Sequence, residues 1–385
     1  MKTWTMWLSG AFSAGILALA ALAAWHAAPA AVASAPDDAG WHDGSLTREF
    51  EAQYDAAFPL RTLGINTWTA IAYLLFREGK PGVVVGDGDW LYTAEEFASA
   101  PGAEPQVEAH LALVPEVRQR LAEHGSALLV ALVPAKARVY PESVGERHPA
   151  PLHAALYGRA LRTLRARSVA TADLLSALAE CKAKQTPKQA MFLRTDTHWT
   201  PAGAICAAAQ IAAEAQAAGL RADERAPYRT SVESVAVHRG DLMNFLPLDP
   251  WFEGLLPPGD TLERRRTEPL TPDTGPGSSP GQDPGSSPGQ DLLGQAPRPE
   301  VALVGTSYSD PRWNFTGALQ ESFGEDVTNY AAPAHGPFRP MIEYLDSADF
   351  NSAPPRLVIW EMPERYFPMP DDEPEDPSQT REKST

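Results

Sequence analysis

Short, unbroken apolar runs alternate with segments of helical periodicity through most of the chain. Residues 126–133 (SALLVALV) run without a charged side chain up to Pro134, the pattern of a strand buried on both faces of a parallel sheet. Similar runs at 167–171, 301–304, 327–330 and 357–360 are each bounded by loop residues. Residues 150–166, 201–218, 313–323 and 338–345 lie between them and repeat apolar side chains at helical spacing. This alternation predicts an α/β three-layer sandwich around a mostly parallel sheet. In such sheets ligands bind beyond the carboxyl ends of the strands.

Towards the N-terminus, 46–76 predicts two helices interrupted at Pro59, 81–92 (PGVVVGDGDWLY) a hairpin turning at Gly-Asp-Gly, and 104–124 another helix. Before these, Lys2 precedes an uncharged apolar run over 6–25 and then a stretch of small residues. Residues 1–35 are therefore expected to direct export, either as a signal peptide cleaved near Ala33-Ser34-Ala35 or as a retained membrane anchor. On either reading the remainder works outside the cytoplasm. Residues 271–299, where Pro-Gly-Ser-Ser-Pro-Gly-Gln-Asp occurs twice in succession, are expected to be a disordered insertion in one domain over 46–367. Residues 368–385 are expected to be a disordered acidic tail.

The 385 residues are 44% hydrophobic, enough for a sizeable core, and the net charge of -17 excludes a general nucleic-acid binder, which needs a basic surface. Cys181 and Cys206 leave two readings open, one disulfide or two buried small hydrophobes. They are too few for a zinc site without other ligands.

The chemistry concentrates in two segments. Val301–Val304 runs into Gly305-Thr306-Ser307-Tyr308-Ser309, placing a serine at a strand's carboxyl end, where its hydroxyl can face a cleft near backbone N–H groups. A capping serine is the alternative for Ser307. Arg194-Thr195-Asp196-Thr197-His198-Trp199 precedes a helix expected to be capped by Thr200 and opened by Pro201. Asp-x-His puts a carboxylate and an imidazole on one loop, the pair needed to activate a serine hydroxyl. Metal binding is the alternative there, without a neighbouring His or Cys cluster to complete a shell. His335 is a second possible base but has no carboxylate beside it.

Several stretches carry a resemblance: PGVVVGDGDWLY, VPAKARVYPE, LRTDTHWTPAGA, RGDLMNFLPL, VALVGTSYSD with WNFTGAL, and VTNYAAPAHGPFRPM. Together they resemble the polysaccharide O-acetyltransferases of the AlgJ and AlgX family, closest to the AlgJ-like branch. The family's catalytic domain is SGNH hydrolase-like with permuted motif order. The resemblance implies Ser307 as nucleophile, His198 as base, Asp196 as its orienting carboxylate and Gly336 as an oxyanion donor, with Asn329 and Asn314 open for a second donor. It also implies an exopolysaccharide substrate, most often alginate, and an acetyl-serine intermediate with no cofactor. A membrane-bound O-acyltransferase of the AlgI type is the implied acetyl source, alongside other alginate acetylation and export components, with location in the periplasm at the inner membrane. For a polyuronate the cations beside these motifs, Lys136, Arg138, Arg194, Arg312, Arg339 and Arg365, are candidate contacts, and Trp199, Tyr308 and Trp313 candidate stacking surfaces. A carbohydrate acetylesterase of the same fold and a non-catalytic assembly component remain the alternatives.

Overall fold

The computed structural model describes residues 14–28 except 16 and 26, and 44–99, 101–184, 189–222, 226–270 and 300–370. The expected cleavage site, the insertion at 271–299 and the tail from 371 lie outside the described residues, as does most of the expected export segment. Among the described residues no helix is long and apolar enough to cross a membrane.

The described residues divide into two compact units, those within 1–80 and 245–256, and those within 81–244 and 257–370. In the first, helices Ser45–Ala57 and Arg61–Ile71 match the two expected around Pro59, and the second runs into a π-helical turn at Ala72–Phe76. Lys80 N–H donates to the Phe245 carbonyl, tying the returning segment to the helices.

The second unit is the α/β layer structure. Its strands β3 (Ala127–Val133), β4 (Ala170–Asp173), β7 (Val301–Val304), β8 (Val327–Asn329) and β9 (Leu357–Pro363) pair in the order β4-β3-β9-β7-β8, all parallel. Alternate side chains enter two separate cores. Leu129, Ala131, Val301, Leu303, Leu357 and Ile359 pack under helices Leu174–Lys184, Pro201–Ala217 and Phe315–Phe323. Leu128, Val130, Ala302, Val304, Val358 and Trp360 pack under Ala103–Glu123, Pro151–Ala166 and Phe338–Asp346. Burial on both faces explains why β3, β7 and residues 357–360 of β9 read as unbroken apolar runs.

Three features differ from expectation. The strand placed at 167–171 begins at Ala170, because Arg167 N–H still bonds to helix carbonyls and Ser168 turns the chain at φ 59°. Helix Leu174–Lys184 was not anticipated. Nor was the antiparallel ribbon of β5 (Tyr228–His238) and β6 (Asp260–Pro269), whose side chains are largely exposed. The expected hairpin is present as β1 (Val83–Val85) against β2 (Leu91–Thr93).

Of the two readings of the cysteines, the structure takes the disulfide. Cys181 and Cys206 join helices Leu174–Lys184 and Pro201–Ala217 across 25 residues. A loop of this size is worth roughly 3 kcal/mol through the unfolded chain. The double variant Cys181→Ser/Cys206→Ser is expected to fold and to melt about 5 °C lower. An unchanged melting temperature in calorimetry would show that the crosslink does not stabilise the sheet's helical layer.

Candidate active site

Ser307 follows β7 by way of Gly305, and the turn that carries it is held from β9. Glu361, fully buried on β9, accepts hydrogen bonds from Thr306 N–H (2.7 Å), the Thr306 hydroxyl (3.0 Å) and the Ser309 hydroxyl (3.2 Å). A Cβ at 305 would stand 2.5 Å from the Glu361 carboxylate, so only glycine fits. Burial pushes the Glu361 carboxyl up to about 7, with the bonds from Thr306 and Ser309 opposing. Thr306, not Ser307, caps the 3₁₀ turn at Ser307–Ser309. Trp313 Nε1–H donates to the Ser307 carbonyl at 3.0 Å, fixing the serine backbone from the far side.

The base sits on a tight loop closed by a bridge between Phe192 and Trp199. Thr200 caps the following helix by accepting from Gly203 N–H, as the Thr-Pro signal predicts. Asp260 on β6 accepts from Arg194 N–H (2.9 Å), Thr195 N–H (2.9 Å) and the Thr195 hydroxyl (2.6 Å). Asp241 accepts from Thr197 N–H at 2.8 Å. From the other side Lys136 Nζ donates to the carbonyls of Leu91 (2.6 Å), Arg194 (2.8 Å) and Asp196 (2.9 Å). The loop is thus gripped at four successive residues.

These two loops bring three side chains into one line. Asp196 Oδ1 accepts from His198 Nδ1–H at 2.7 Å, which leaves Nε2 to accept the Ser307 hydroxyl at 2.8 Å. Both Asp196 and His198 are buried. Burial alone would raise the Asp196 pKa, but His198 and its hydrogen bonds hold the carboxyl well below the usual range. Burial alone would lower His198, yet the Asp196 charge and hydrogen bond leave it above an ordinary histidine. Trp313 stacks on the imidazole with centroids 5.1 Å apart, and Tyr308 lies 5.0 Å away.

Sequence reasoning missed two members of this network. His238 Nε2–H donates to Asp196 Oδ2 at 2.7 Å, and Asp241 N–H donates to the same oxygen at 3.1 Å. Both lie at the end of the unanticipated ribbon. The stretch RGDLMNFLPL begins one residue after His238 and was the available signal. Asp241 also brings potential ligand atoms of Asp196, His198 and itself within 4.8 Å of one another. The Asp196 and His198 atoms concerned already serve the hydrogen-bond chain, so the donor set is that of a relay and not of a metal shell.

The candidate substrate contacts divide. Lys136 is a correction: it is buried and its three ammonium hydrogens go to three carbonyls, so it is a strut and not a ligand for sugar carboxylates. Burial lowers its pKa to about 8, with Glu96 and Asp196 opposing. Trp199 and Tyr308 are likewise buried, filling the core beneath the loops, where no sugar ring can stack on them. Trp313 is buried too, between Arg312 and His198. Arg138 is bound to Glu364 at 2.6 and 2.9 Å, and Arg365 is buried against Tyr308 and Tyr366, with a 3.0 Å ion pair to Glu95 that lacks hydrogen-bond alignment.

Arg312 stays half-exposed over the Trp313 ring, paired with Asp310. Arg194 lines a cavity of about 530 Å³ with Trp90, Tyr140 and Arg265, and it pairs with Asp260 at 3.5 Å. Arg339 is exposed and pairs with Glu343. Gly336 adopts φ 61° beside the Tyr366 ring, and His335 is exposed. Asn329 donates to the Ser309 carbonyl and Thr316, and Asn314 donates to Thr267, so both amides are engaged in structure.

Comparison with known proteins agrees with the fold. Residues 83–364 match the family model described as SGNH hydrolase-like domain, acetyltransferase AlgX. The chain is 42% identical over 369 residues to a probable alginate O-acetylase AlgJ of Azotobacter vinelandii, covering 96% of this chain and 90% of that protein. It is 44% identical over 355 residues to the protein of the same name from Pseudomonas aeruginosa, covering 92% and 88%. Among solved structures, the O-acetyltransferase domain of Pseudomonas putida AlgJ superposes with a TM-score of 0.66 at 41% identity, covering 78% of this chain and 98% of that one. A match across the whole sheet and both loops, with relatives above 40% identity over nearly the full length, places the chain in the SGNH hydrolase-like family of AlgX and AlgJ.

Proposed function

We propose that this protein is an O-acetyltransferase that acetylates alginate through an acetyl-serine intermediate. The observation that carries the reading is the unbroken hydrogen-bond chain from Asp196 through His198 to Ser307, in a chain whose relatives are named alginate O-acetylases. Ser307 Oγ attacks the acetyl carbonyl carbon of the donor while its proton passes to His198 Nε2. The tetrahedral intermediate collapses, the donor's leaving group takes that proton, and the acetyl group stays on Ser307. A uronate hydroxyl then loses its proton to His198 and attacks the acetyl carbonyl carbon; the bond from that carbon to Ser307 Oγ breaks, Oγ takes the proton back from His198, and the acetylated uronate leaves.

The negative oxygen formed in each step needs N–H donors in place beforehand. The Ser307 amide and Gly336 are the donors proposed, and Arg312 is the cation proposed to meet a sugar carboxylate. The site works in the periplasm, at or anchored to the inner membrane. The acetyl group arrives from a membrane-bound O-acyltransferase of the AlgI type, and the protein acts with other alginate acetylation and export components. The apolar run at 6–25 supports that placement.

Ser307→Ala is expected to lower acetyl release from an aryl acetate, and acetyl transfer to oligouronate, by at least about 10³-fold. Transfer at the wild-type rate in this variant would remove Ser307 from the reaction. Acetate released to water with no acetylated oligouronate formed would instead favour the esterase.

His198 works as a base only when neutral, so activity is lost as pH falls through its raised pKa. The acid limb of kcat/KM is therefore expected above the ~6.5 of a free histidine. An acid limb well below that value would contradict the assignment of His198 as base. Asp196→Asn, which favours the wrong tautomer, is expected to lower kcat on the order of 10⁴-fold. A loss of less than about tenfold would mean that Asp196 does not orient the ring.

A further inference from the structure

The triad carboxylate carries a second histidine. His198 occupies Oδ1 of Asp196, whereas Oδ2 accepts from His238 Nε2–H at 2.7 Å and from the Asp241 amide at 3.1 Å. His238 is the last residue of β5, with a side chain only 16% exposed, and it stands edge-on to Trp313, the indole that stacks on His198. Across the ribbon its register partner is Asp260, whose carboxylate grips the Arg194 and Thr195 backbone. Two residues further on, Gly240 packs so closely on Thr195 that a Cβ would meet the carbonyl oxygen at 2.0 Å. The ribbon therefore reaches the base loop at several points, and His238 is the point where it reaches the reacting chain.

We propose that His238 is a positioning residue for acyl transfer, acting on His198 through Asp196. The inference rests on the acyl-transfer reading of Ser307. A carboxylate turns about its Cβ–Cγ bond unless both oxygens are held, and turning would draw Oδ1 away from His198 Nδ1. The hydrogen bond from His238 is the shorter of the two on Oδ2, and with the Asp241 amide it fixes that oxygen and with it the direction of Oδ1. It also spreads the Asp196 charge over two imidazoles, which moderates the pull on His198. No proton leaves His238 during the reaction; the Ser307 proton goes to His198 Nε2 and then to the leaving group.

The titratable and charged groups facing His198 are Asp196, Asp241, Asp310 and Arg365. Those facing Asp196 are His198, His238, Asp241, Arg312 and, through its backbone carbonyl, Lys136. His238 faces Asp196, with Asp260 opposite it on the ribbon. Removing His238 concentrates the Asp196 charge on His198, so the His198 pKa rises.

The test uses the full chain with p-nitrophenyl acetate, comparing wild type, His238→Leu, His238→Asn, His238→Gln and Ser307→Ala. His238→Leu is expected to lose roughly ten- to a hundredfold in kcat at unchanged KM, the scale seen for outer partners that orient ligating histidines. Its acid limb moves to higher pH. His238→Gln, whose amide N–H reaches the same oxygen, recovers most of the rate with a limb near wild type. If the leucine variant does not fold, His238→Asn carries the test: it is polar but too short to reach Oδ2, and the same loss of kcat is expected. Wild-type kcat and an unmoved limb in the leucine or asparagine variant would overturn the proposal. Equal losses in the leucine and glutamine variants, tracking a lowered melting temperature, would reduce His238 to a purely structural role. Hydrolysis that persists undiminished in Ser307→Ala would overturn the acyl-transfer reading and the proposal with it, whereas an inactive Ser307→Ala beside a wild-type His238→Leu would overturn the role of His238 alone.

Discussion

Asp196 keeps a negative charge where water is almost excluded, and the surrounding structure is organised to meet that charge. A bare carboxylate in such a place would take up a proton, and its pKa is instead held low by two imidazoles and two backbone amides. Removing one partner from a buried charge of this kind costs about 3–5 kcal/mol. Asp196 can therefore orient His198 only because the loop around it is over-determined. Asp260, Asp241 and Lys136 supply that restraint through backbone contacts at Arg194, Thr195, Asp196 and Thr197.

The nucleophile is held by a second buried carboxylate under the opposite constraint. Glu361 lies within the sheet with no cation bonded to it among the described residues, so burial raises its pKa over the opposing pull of Thr306, Ser309 and the Arg365 charge. It has hydroxyl and amide donors from Thr306 and Ser309, and it leaves room for nothing larger than glycine at 305. The parallel sheet brings β7 and β9 side by side, so this brace comes directly from the register that pairs Val304 with Trp360. The sheet thus fixes the serine, while the β5–β6 ribbon fixes the base.

Local pattern made much of this legible. Strands β3, β7 and the first four residues of β9 announce themselves because burial on both faces leaves no polar interruption, while β4 and β8 at the sheet edges carry polar residues; the loop residues Asp196, His198 and Ser307 stand in short motifs with a direct chemical meaning. The ribbon was not legible, since its side chains are mostly exposed and Val235 and Val237 face solvent, leaving no apolar alternation to read. His238 and Asp241 were missed with it. Lys136 was misread for a related reason. Its charge suggested a surface, but three carbonyls from Leu91, Arg194 and Asp196 converge on it from segments far apart in sequence. Trp199 and Tyr308 resemble sugar-stacking residues by type and neighbourhood, and only the packing beneath the two loops shows that they are core.

The central claim is that Ser307 carries the acetyl group covalently between donor and acceptor. Intact-protein and peptide mass spectrometry after rapid quenching of the enzyme with an activated acetyl donor tests it directly. The account predicts a single acetyl adduct on the peptide containing Ser307, present before oligouronate is added and discharged by it. Turnover with no adduct at Ser307, or an adduct that oligouronate cannot discharge, would contradict it.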